Sequence, residues 1–199
     1  HIASHYDTII ADMSSDILSK PIDFNSFGLI YAGAQKNMGP AGVTLVIIRD
    51  DLISLNKRTL PSMLDYGVHL SKESMFNTPP VFPVLVVNET IKWLKTIGGL
   101  EEMNIINKAK AKKIYQYIDN SSIFSSLVDI NDRSDMNVLF SFNDKAYDDK
   151  SFLSFCHERG LMNLKGHRSV GGFRASVYNA MPEDGIDCLI ECMSDFERF

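Results

Sequence analysis

The sequence predicts an α/β protein in two parts: a mixed sheet in the first half, then a small α+β layer of helices on a mostly antiparallel sheet. Apolar and β-branched runs at residues 28–32 and 43–48 are typical of strands. The loop between these runs is too short for a helical crossover, so the strands are expected to be antiparallel or to lie apart in the sheet. Beyond Gly98 and Gly99, short strand patterns alternate with helical ones.

Two polar side chains follow the first predicted strands. Residues 7–11 form a short strand pattern that ends on Asp12, and the strand at 28–32 leads into Gln35 and Lys36. Ligand-binding groups of open α/β sheets gather at the carboxyl ends of strands. If the two strands share a sheet, Asp12 and Lys36 are therefore expected at the same edge.

The rest of the first half is predicted to be largely irregular until one helix. Residues 17–26 indicate a connecting loop, and the polar stretch 51–75 indicates an irregular segment. Two prolines follow Asn77 and Thr78 and indicate a rigid loop that presents these two side chains. A helix is predicted from about residue 84 to residue 96, where the glycine pair ends it.

The glycine pair is also the predicted domain boundary, dividing residues 1–98 from residues 99–199. Pro182 and the acidic residues after it suit the first turn of a closing helix. The predicted elements of the second part are, in chain order, a helix at 100–117, strands at 124–128 and 137–142, a helix at 149–159, strands at 161–164 and 173–177, and the closing helix.

Composition excludes several classes of protein. The chain has 199 residues, 45% of them hydrophobic and 23% charged, which is ordinary for a globular protein. A net charge of -5 argues against nucleic acid and anionic membranes as partners, and no apolar run is long enough to span a bilayer. Three cysteines without a pairing framework predict reduced thiols and a cytoplasmic protein. Cys188 and Cys192 are expected in the core, and no metal is expected.

Lys36 and Asp12 are the first candidates for chemistry. A lysine and a carboxylate at one sheet edge suit pyridoxal phosphate, because the amine can hold the cofactor and the carboxylate can keep its pyridine nitrogen protonated. By spacing alone, a structural salt bridge between the two residues is the simpler interpretation.

A second candidate group could bind anions. His167 and Arg168 lie in a glycine-rich loop, and Arg174 follows in an apolar strand pattern. Arginine binds carboxylate and phosphate through two parallel hydrogen bonds, and a buried arginine needs an anion. The alternative is an ordinary solvated basic loop. Asn77 and Thr78 could likewise donate to phosphate oxygens or simply form a turn.

Four stretches of the chain together resemble the phosphoserine aminotransferase family, from about residue 8 to the end. The resemblance implies a fold type I, pyridoxal-5′-phosphate-dependent homodimer with a site shared across its interface. Residues 1–98 would be the carboxyl-terminal part of the large cofactor-binding domain, and residues 99–199 the small domain. The stretches are Ala11-Asp-Met-Ser-Ser15, Tyr31-Ala-Gly-Ala-Gln-Lys-Asn-Met-Gly-Pro-Ala-Gly42, Phe76-Asn-Thr-Pro-Pro80 and Gly166-His-Arg-Ser-Val-Gly-Gly-Phe-Arg-Ala-Ser-Val-Tyr-Asn-Ala-Met181.

The implied reaction interconverts 3-phosphohydroxypyruvate and L-glutamate with O-phospho-L-serine and 2-oxoglutarate, in serine biosynthesis and, in many bacteria, pyridoxine biosynthesis. Lys36 matches the lysine that holds the cofactor and moves protons, and Asp12 matches the partner of the pyridine nitrogen. Gln35 matches a residue beside the cofactor phosphate. Asn77 and Thr78 match a pair that reaches this phosphate from the neighbouring subunit.

Three further residues match substrate-binding positions of the family. Arg174 matches the residue that binds the substrate α-carboxylate. His167 and Arg168 match the pair that binds the substrate phosphate or the distal carboxylate of glutamate.

The same resemblance implies that this chain is a carboxyl-terminal portion. The family's ring-stacking aromatic residue, most of its phosphate cup and another substrate arginine lie upstream of the matching region. The chain alone is therefore expected to be inactive. Two alternatives are another fold type I aminotransferase or lyase with a different amino-acid substrate, and a non-catalytic dimerisation or regulatory fragment.

Overall fold

The structure, a computed structural model, describes residues 8–198. The chain divides into two compact units, one that reaches to Leu100 and one that begins at Glu101. Each unit contains one three-stranded sheet. Within the described residues, no helix is both long and apolar enough to cross a membrane.

The first unit has a mixed sheet, as predicted. Its strands are β1 (Ile10–Asp12), β2 (Leu29–Gly33) and β3 (Thr44–Ile48), in that order across the sheet. β1 runs parallel to β2, whereas β2 and β3 are antiparallel. β1 is shorter than the predicted strand at 7–11, whose first residue lies outside the described residues.

Alternation along β2 builds the core of the first unit. Ile30 and Ala32 are buried, and Tyr31 between them is exposed. Met13 and Ile17, in the turns after β1, pack into the same apolar cluster. Their burial anchors the turns that follow β1.

The prediction of an irregular segment at 51–75 is wrong in part. The structure forms α1 (Asp50–Ser54), α2 (Tyr66–Ser71) and a 3-10 turn at Ser62–Leu64. Asp65 caps α2 by accepting a hydrogen bond from the backbone nitrogen of Gly67 at 2.8 Å. Local caps of this kind stabilise helices that are too short to show an apolar period.

The next helix, α3 (Val81–Thr96), begins three residues before its predicted start. Pro83 lies in its first turn, where the missing N–H costs nothing because such groups have no partner within the helix. Val84 donates to the carbonyl of Pro80 at 3.1 Å and closes that turn. α4 (Gly99–Asn120) follows, and Gly98 adopts a φ of 107° between the two helices.

The second unit is an antiparallel α+β layer, as predicted. Its sheet has β4 (Phe124–Ser126), β5 (Asn137–Phe142) and β6 (Phe173–Ser176), with β5 in the centre. α5 (Asp149–Glu158) and α6 (Glu183–Glu197) complete it. Apolar residues of α4, α5, α6 and the strands form one cluster. Its largest fully buried aromatic side chains are Phe124, Phe140, Phe152 and Phe173.

The predicted strand at 161–164 is not formed. Asn163 has a φ of 61°, in the left-handed region, which interrupts an extended backbone. The segment makes one isolated bridge to β6, between Lys165 and Phe173, and the carbonyl of Leu164 accepts from the nitrogen of Arg174 at 2.7 Å. It therefore lines the edge of the sheet without joining it as a strand.

A buried lysine ties α4 to the turn between β6 and α6. The ammonium of Lys110 donates to the carbonyls of Tyr178 and Met181, both at 3.0 Å. One turn earlier on the helix, the amide of Asn107 donates to the side chain of Asn179 at 2.9 Å. Burial lowers the pKa of Lys110. These bonds fix the segment that directly follows β6.

Candidate active site

Asp12 and Lys36 come from the same edge of the first sheet. β1 and β2 are parallel, with Asp12 opposite Tyr31, so both strands end in the same direction. Gln35 and Lys36 follow the end of β2 at Gly33 by two and three residues. The pKa of Asp12 is lowered chiefly by hydrogen bonds from Ser14, with smaller contributions from the side chain of Tyr31 and the positive charge of Lys36. The structure thus brings Asp12, Gln35 and Lys36 to one edge, where all three are exposed.

Two consecutive serines hold the two charged groups. The Oδ1 atom of Asp12 accepts from the hydroxyl of Ser14 at 2.6 Å and from its backbone nitrogen at 2.9 Å. These two bonds hold the pKa of the Asp12 carboxyl below its usual value, against the effect of burial. The Nζ atom of Lys36 donates to the hydroxyl of Ser15. Asp12 is therefore held in its charged form beside a lysine that is also anchored.

The loop that carries Lys36 is held in place by the buried side-chain amide of Asn37. Asn37 is buried, and its side-chain nitrogen donates to the carbonyl of Ile17 at 3.0 Å. The nitrogen of Gly39 donates to the carbonyl of Ala34 at 2.8 Å and closes the turn. These contacts tie the loop after β2 to the turns after β1.

The sequence interpretation assigned no role to Ser14, Ser15 or Asn37. A signal was present, because the serines lie two and three residues after Asp12 and Asn37 directly follows Lys36. A serine two residues after a strand-end aspartate is able to hydrogen-bond it locally. The spacing of such residues does not distinguish a functional contact from an ordinary turn.

Asn77 and Thr78 lie elsewhere in the first unit. Both are exposed, and the amide of Asn77 donates to the carbonyl of Thr78 at 3.1 Å. Asn77 lines a cavity of about 400 Å³ together with Gly42, Thr44 and other residues. The residues that line this cavity do not include Asp12, Gln35 or Lys36. The role of Asn77 and Thr78 in cofactor binding stays a prediction.

The glycine-rich loop of the second unit presents His167 and Arg168, both exposed. The nitrogen of Gly166 donates to the carbonyl of Gly172 at 2.8 Å and closes the loop at its base. The Nδ1 atom of His167 lies 2.6 Å from the hydroxyl of Ser169. These contacts define the loop's path, while the side chains of His167 and Arg168 face solvent.

Arg174 lies on β6, opposite Leu139 of β5. It is half-buried between the buried Phe173 and Ala175, so it points to the other side of the sheet. Its Nε atom is buried and finds no hydrogen-bond partner among the described residues. The side chain lines a cavity of about 530 Å³ with apolar neighbours that include Leu164 and Met181. A buried N–H without a partner at a cavity suits an anionic ligand.

Metal binding has no support in the described part of the chain. No group of three or more histidine, cysteine, aspartate or glutamate residues there is arranged to hold an ion. Cys192 packs in the core, as predicted, and Cys188 is half-buried. The Sγ atoms of Cys192 and Cys156 are 3.5 Å apart, and burial raises the pKa of both thiols.

Comparison with known proteins gives consistent similarities. The profile of the family Aminotransferase class-V matches residues 2–189. The chain is 51% identical over 191 residues to a phosphoserine aminotransferase of Azobacteroides pseudotrichonymphae, covering 96% of this chain and 53% of that protein. It thus spans about half the length of the curated relatives it matches.

Two solved structures resemble the chain closely. Phosphoserine aminotransferase from Bacillus circulans subsp. alkalophilus superposes with a TM-score of 0.91 at 47% identity, over 96% of this chain and 53% of its own. A pyridoxal-phosphate-bound phosphoserine aminotransferase from Trichomonas vaginalis gives 0.88 at 42% identity, over 94% and 53%. These similarities confirm the predicted fold class, fold type I of the pyridoxal-phosphate-dependent transferases.

Proposed function

The chain belongs to the class-V aminotransferase family, and from this membership we propose that it is the carboxyl-terminal portion of a phosphoserine aminotransferase. The observation that carries the proposal is the 51% identity to such an enzyme over 96% of the chain. The whole protein would exchange an amino group between L-glutamate and 3-phosphohydroxypyruvate in serine biosynthesis, with a further role in pyridoxine biosynthesis. Three cysteines without a disulfide support a cytoplasmic location.

The first unit offers groups that fit pyridoxal phosphate. When bound, this cofactor supplies an electron sink for negative charge at the substrate α-carbon. Lys36 would hold it covalently and, as a general acid and base, would move the α-proton of the amino acid. Asp12 would pair with the pyridine nitrogen, and its lowered pKa supports this role because a cationic nitrogen needs a charged partner. Gln35, Asn77 and Thr78 would bind the cofactor phosphate.

The second unit would bind the substrate. Arg174, with its unpartnered buried Nε atom, would take the α-carboxylate. His167 and Arg168 would bind the phosphate of phosphoserine or the distal carboxylate of glutamate. The guanidinium of Arg168, with the His167 ring beside it in sequence, would favour substrates with a second anion over amino acids without one, such as serine.

A homodimer is the proposed assembly, with Asn77 and Thr78 contributing to the neighbouring site. α3 begins three residues after Thr78. In its first turns three apolar residues are exposed: Val81 by 69%, Phe82 by 70% and Leu85 by 54%. Apolar side chains so exposed and so close together are typical of interaction surfaces. Sedimentation analysis of the whole protein tests this assembly, and a monomer at micromolar concentration would contradict it.

The proposal is tested on the whole protein that contains this chain. Lys36→Ala should lower turnover of phosphoserine with 2-oxoglutarate by at least about 10²-fold, since it removes the proton-transfer group. Borohydride reduction followed by peptide mass spectrometry should place a phosphopyridoxyl group on Lys36. The matched control, Lys57→Ala, changes an exposed lysine of the same unit and should retain activity and labelling.

Two outcomes would contradict the proposal. Turnover retained in Lys36→Ala, or a label on a different lysine, would remove Lys36 from its role. Faster turnover of serine than of phosphoserine would favour a different aminotransferase of the same fold.

A further inference from the structure

We propose that Ser14 is the positioning residue of the site, fixing the Asp12 carboxylate and joining it to the strand that leads to Lys36. The contact itself is a property of the chain, whereas its consequence for cofactor binding rests on the proposed function. Ser14 is half-buried in the turn directly after β1.

The hydrogen bonds around Ser14 determine where its hydroxyl proton points. The backbone nitrogen of Gly33 donates to the Oγ atom of Ser14 at 3.0 Å. The Ser14 hydroxyl therefore accepts this bond through an oxygen lone pair, and its single proton remains free to donate elsewhere. The proton is therefore directed to the Oδ1 atom of Asp12, 2.6 Å away.

The same hydroxyl connects the two parallel strands at their carboxyl ends. Asp12 is the last residue of β1, and Gly33 is the last residue of β2. Lys36 follows Gly33 by three residues and is held by Ser15, the next residue after Ser14. A shift of Ser14 would therefore displace the carboxylate relative to the loop that carries the lysine.

A donor that stabilises the charged form of Asp12 also limits its motion. The Ser14 backbone nitrogen binds the same Oδ1 atom at 2.9 Å, so two donors fix one carboxylate oxygen. The side chain of Tyr31 also hydrogen-bonds this carboxylate and contributes to lowering its pKa. Asp12 is nevertheless exposed, so its carboxylate is accessible to a cationic ligand group. Around metal ligands, loss of such a hydrogen-bond partner typically costs about tenfold or more in affinity, and we expect a comparable effect here.

The first experiment needs no bound cofactor. The whole protein, freed of pyridoxal phosphate and labelled with ¹³C at aspartate carboxyls, is titrated by NMR. Ser14→Ala should raise the pKa of Asp12 toward the ordinary value of aspartate, because a donor to the charged form is lost. Ser14→Thr keeps the hydroxyl and should preserve the wild-type pKa.

The matched control is Ser26→Ala, which removes a hydroxyl that donates to Asp23 at 3.0 Å in the same unit. It should leave the pKa of Asp12 unchanged. An unchanged Asp12 pKa in Ser14→Ala overturns the proposal. If that variant does not fold, a wild-type Asp12 pKa at or above the ordinary value overturns it as well.

The second experiment uses the loaded protein. Ser14→Ala should weaken pyridoxal phosphate binding about tenfold and lower kcat while the KM for phosphoserine stays constant, because the proposed substrate-binding residues are unchanged. Ser14→Thr should restore both. Equal effects in Ser14→Ala and Ser26→Ala would overturn the positioning role.

The two experiments separate the two proposals. If Ser14→Ala raises the pKa of Asp12 but leaves the affinity for pyridoxal phosphate unchanged, the Ser14 contact is supported. Its link to the cofactor is then overturned, and the result weighs against the proposed function. An unchanged pKa would overturn the Ser14 proposal and leave the roles of Lys36 and Asp12 as they stand.

Discussion

Glu197 connects two helices of the second unit through several hydrogen bonds. Its carboxylate accepts from the hydroxyl of Tyr117 at 2.6 Å and from both the nitrogen and the hydroxyl of Ser122, at 2.6 and 2.8 Å. The hydroxyl of Ser121 donates to it at 2.8 Å. Burial raises the pKa of Glu197, but these donors outweigh it and lower the pKa to about 2. One carboxylate thus joins the end of α6 to the end of α4.

We expect Glu197→Gln to lower the free energy of unfolding by about 1–3 kcal/mol at neutral pH, because charged hydrogen bonds are replaced by neutral ones. The folded pKa lies below the ordinary value of 4.5, so the contribution is complete above that pH and is lost as the pH falls toward 2. Denaturant unfolding of wild type and variant at several pH values measures this.

The control is Glu191→Gln, an exposed glutamate on the same helix, which should unfold like wild type. A difference between wild type and Glu197→Gln that does not shrink between pH 5 and pH 2 would contradict the assignment.

The positions of single residues were predictable where strand direction alone determines them. Asp12 and Lys36 were expected at one edge because each follows a strand pattern, and parallel β1 and β2 bring them there. Ser14 and Asn37 act through hydrogen bonds of 2.6–3.4 Å that depend on turn geometry. Serine and asparagine make such bonds in many turns, so the pattern alone gave them no role.

At the scale of elements, apolar periodicity predicted the long helices and strands, whereas the short ones depend on local backbone geometry. β5 and α6 carry clear patterns and were predicted close to their observed bounds. α1 and α2 were missed because each is too short for an apolar stripe; α2 is capped by Asp65, and α1 has two acidic residues in its first turn. Residues 161–164 looked like a strand, but the left-handed Asn163 prevents one. Backbone handedness at a single non-glycine residue is not readable from composition.

The glycine-rich loop that carries His167 and Arg168 gives a prediction at this scale. Gly172 has a φ of 59°, and a Cβ added there would lie 2.6 Å from the carbonyl oxygen of Phe140. Gly171 has a φ of 80° but no atom within 4 Å of an added Cβ. Both alanine variants incur left-handed strain of about 1–2 kcal/mol, but Gly172→Ala must also move the loop away from β5.

We therefore expect Gly172→Ala to unfold at a lower temperature than Gly171→Ala and to raise the KM for phosphoserine. The KM change follows because the loop carries His167 and Arg168, the proposed phosphate ligands. Thermal unfolding and steady-state kinetics of the whole protein measure the two effects. Equal stability and equal KM in the two variants would contradict the steric argument.

At the scale of the whole molecule, each unit has its own sheet and its own apolar cluster, and the proposed chemical groups are divided between them. Lys36 and Asp12 belong to the first unit, whereas His167, Arg168 and Arg174 belong to the second. Sequence patterns predicted the change from a mixed to an antiparallel sheet at the glycine pair. They could not predict which surfaces would be left exposed, because exposure depends on tertiary packing.

The exposure of the proposed cofactor-binding residues leads to the last prediction. The 199-residue chain by itself should not catalyse transamination. Asp12, Gln35 and Lys36 are all exposed in this chain, whereas catalysis of this kind needs charged groups held away from bulk water. The matched relatives are about twice as long, and we infer that their additional part supplies the missing enclosure.

The measurement compares phosphoserine turnover by the isolated chain with that of its Lys36→Ala variant, both with added pyridoxal phosphate, because the free cofactor transaminates slowly without protein. The two rates should be equal, and the whole protein assayed in parallel should exceed both. Turnover that rises with the concentration of the isolated chain and disappears in Lys36→Ala would contradict the prediction. It would mean that one sheet edge with Lys36 and Asp12, together with Arg174, suffices for the reaction.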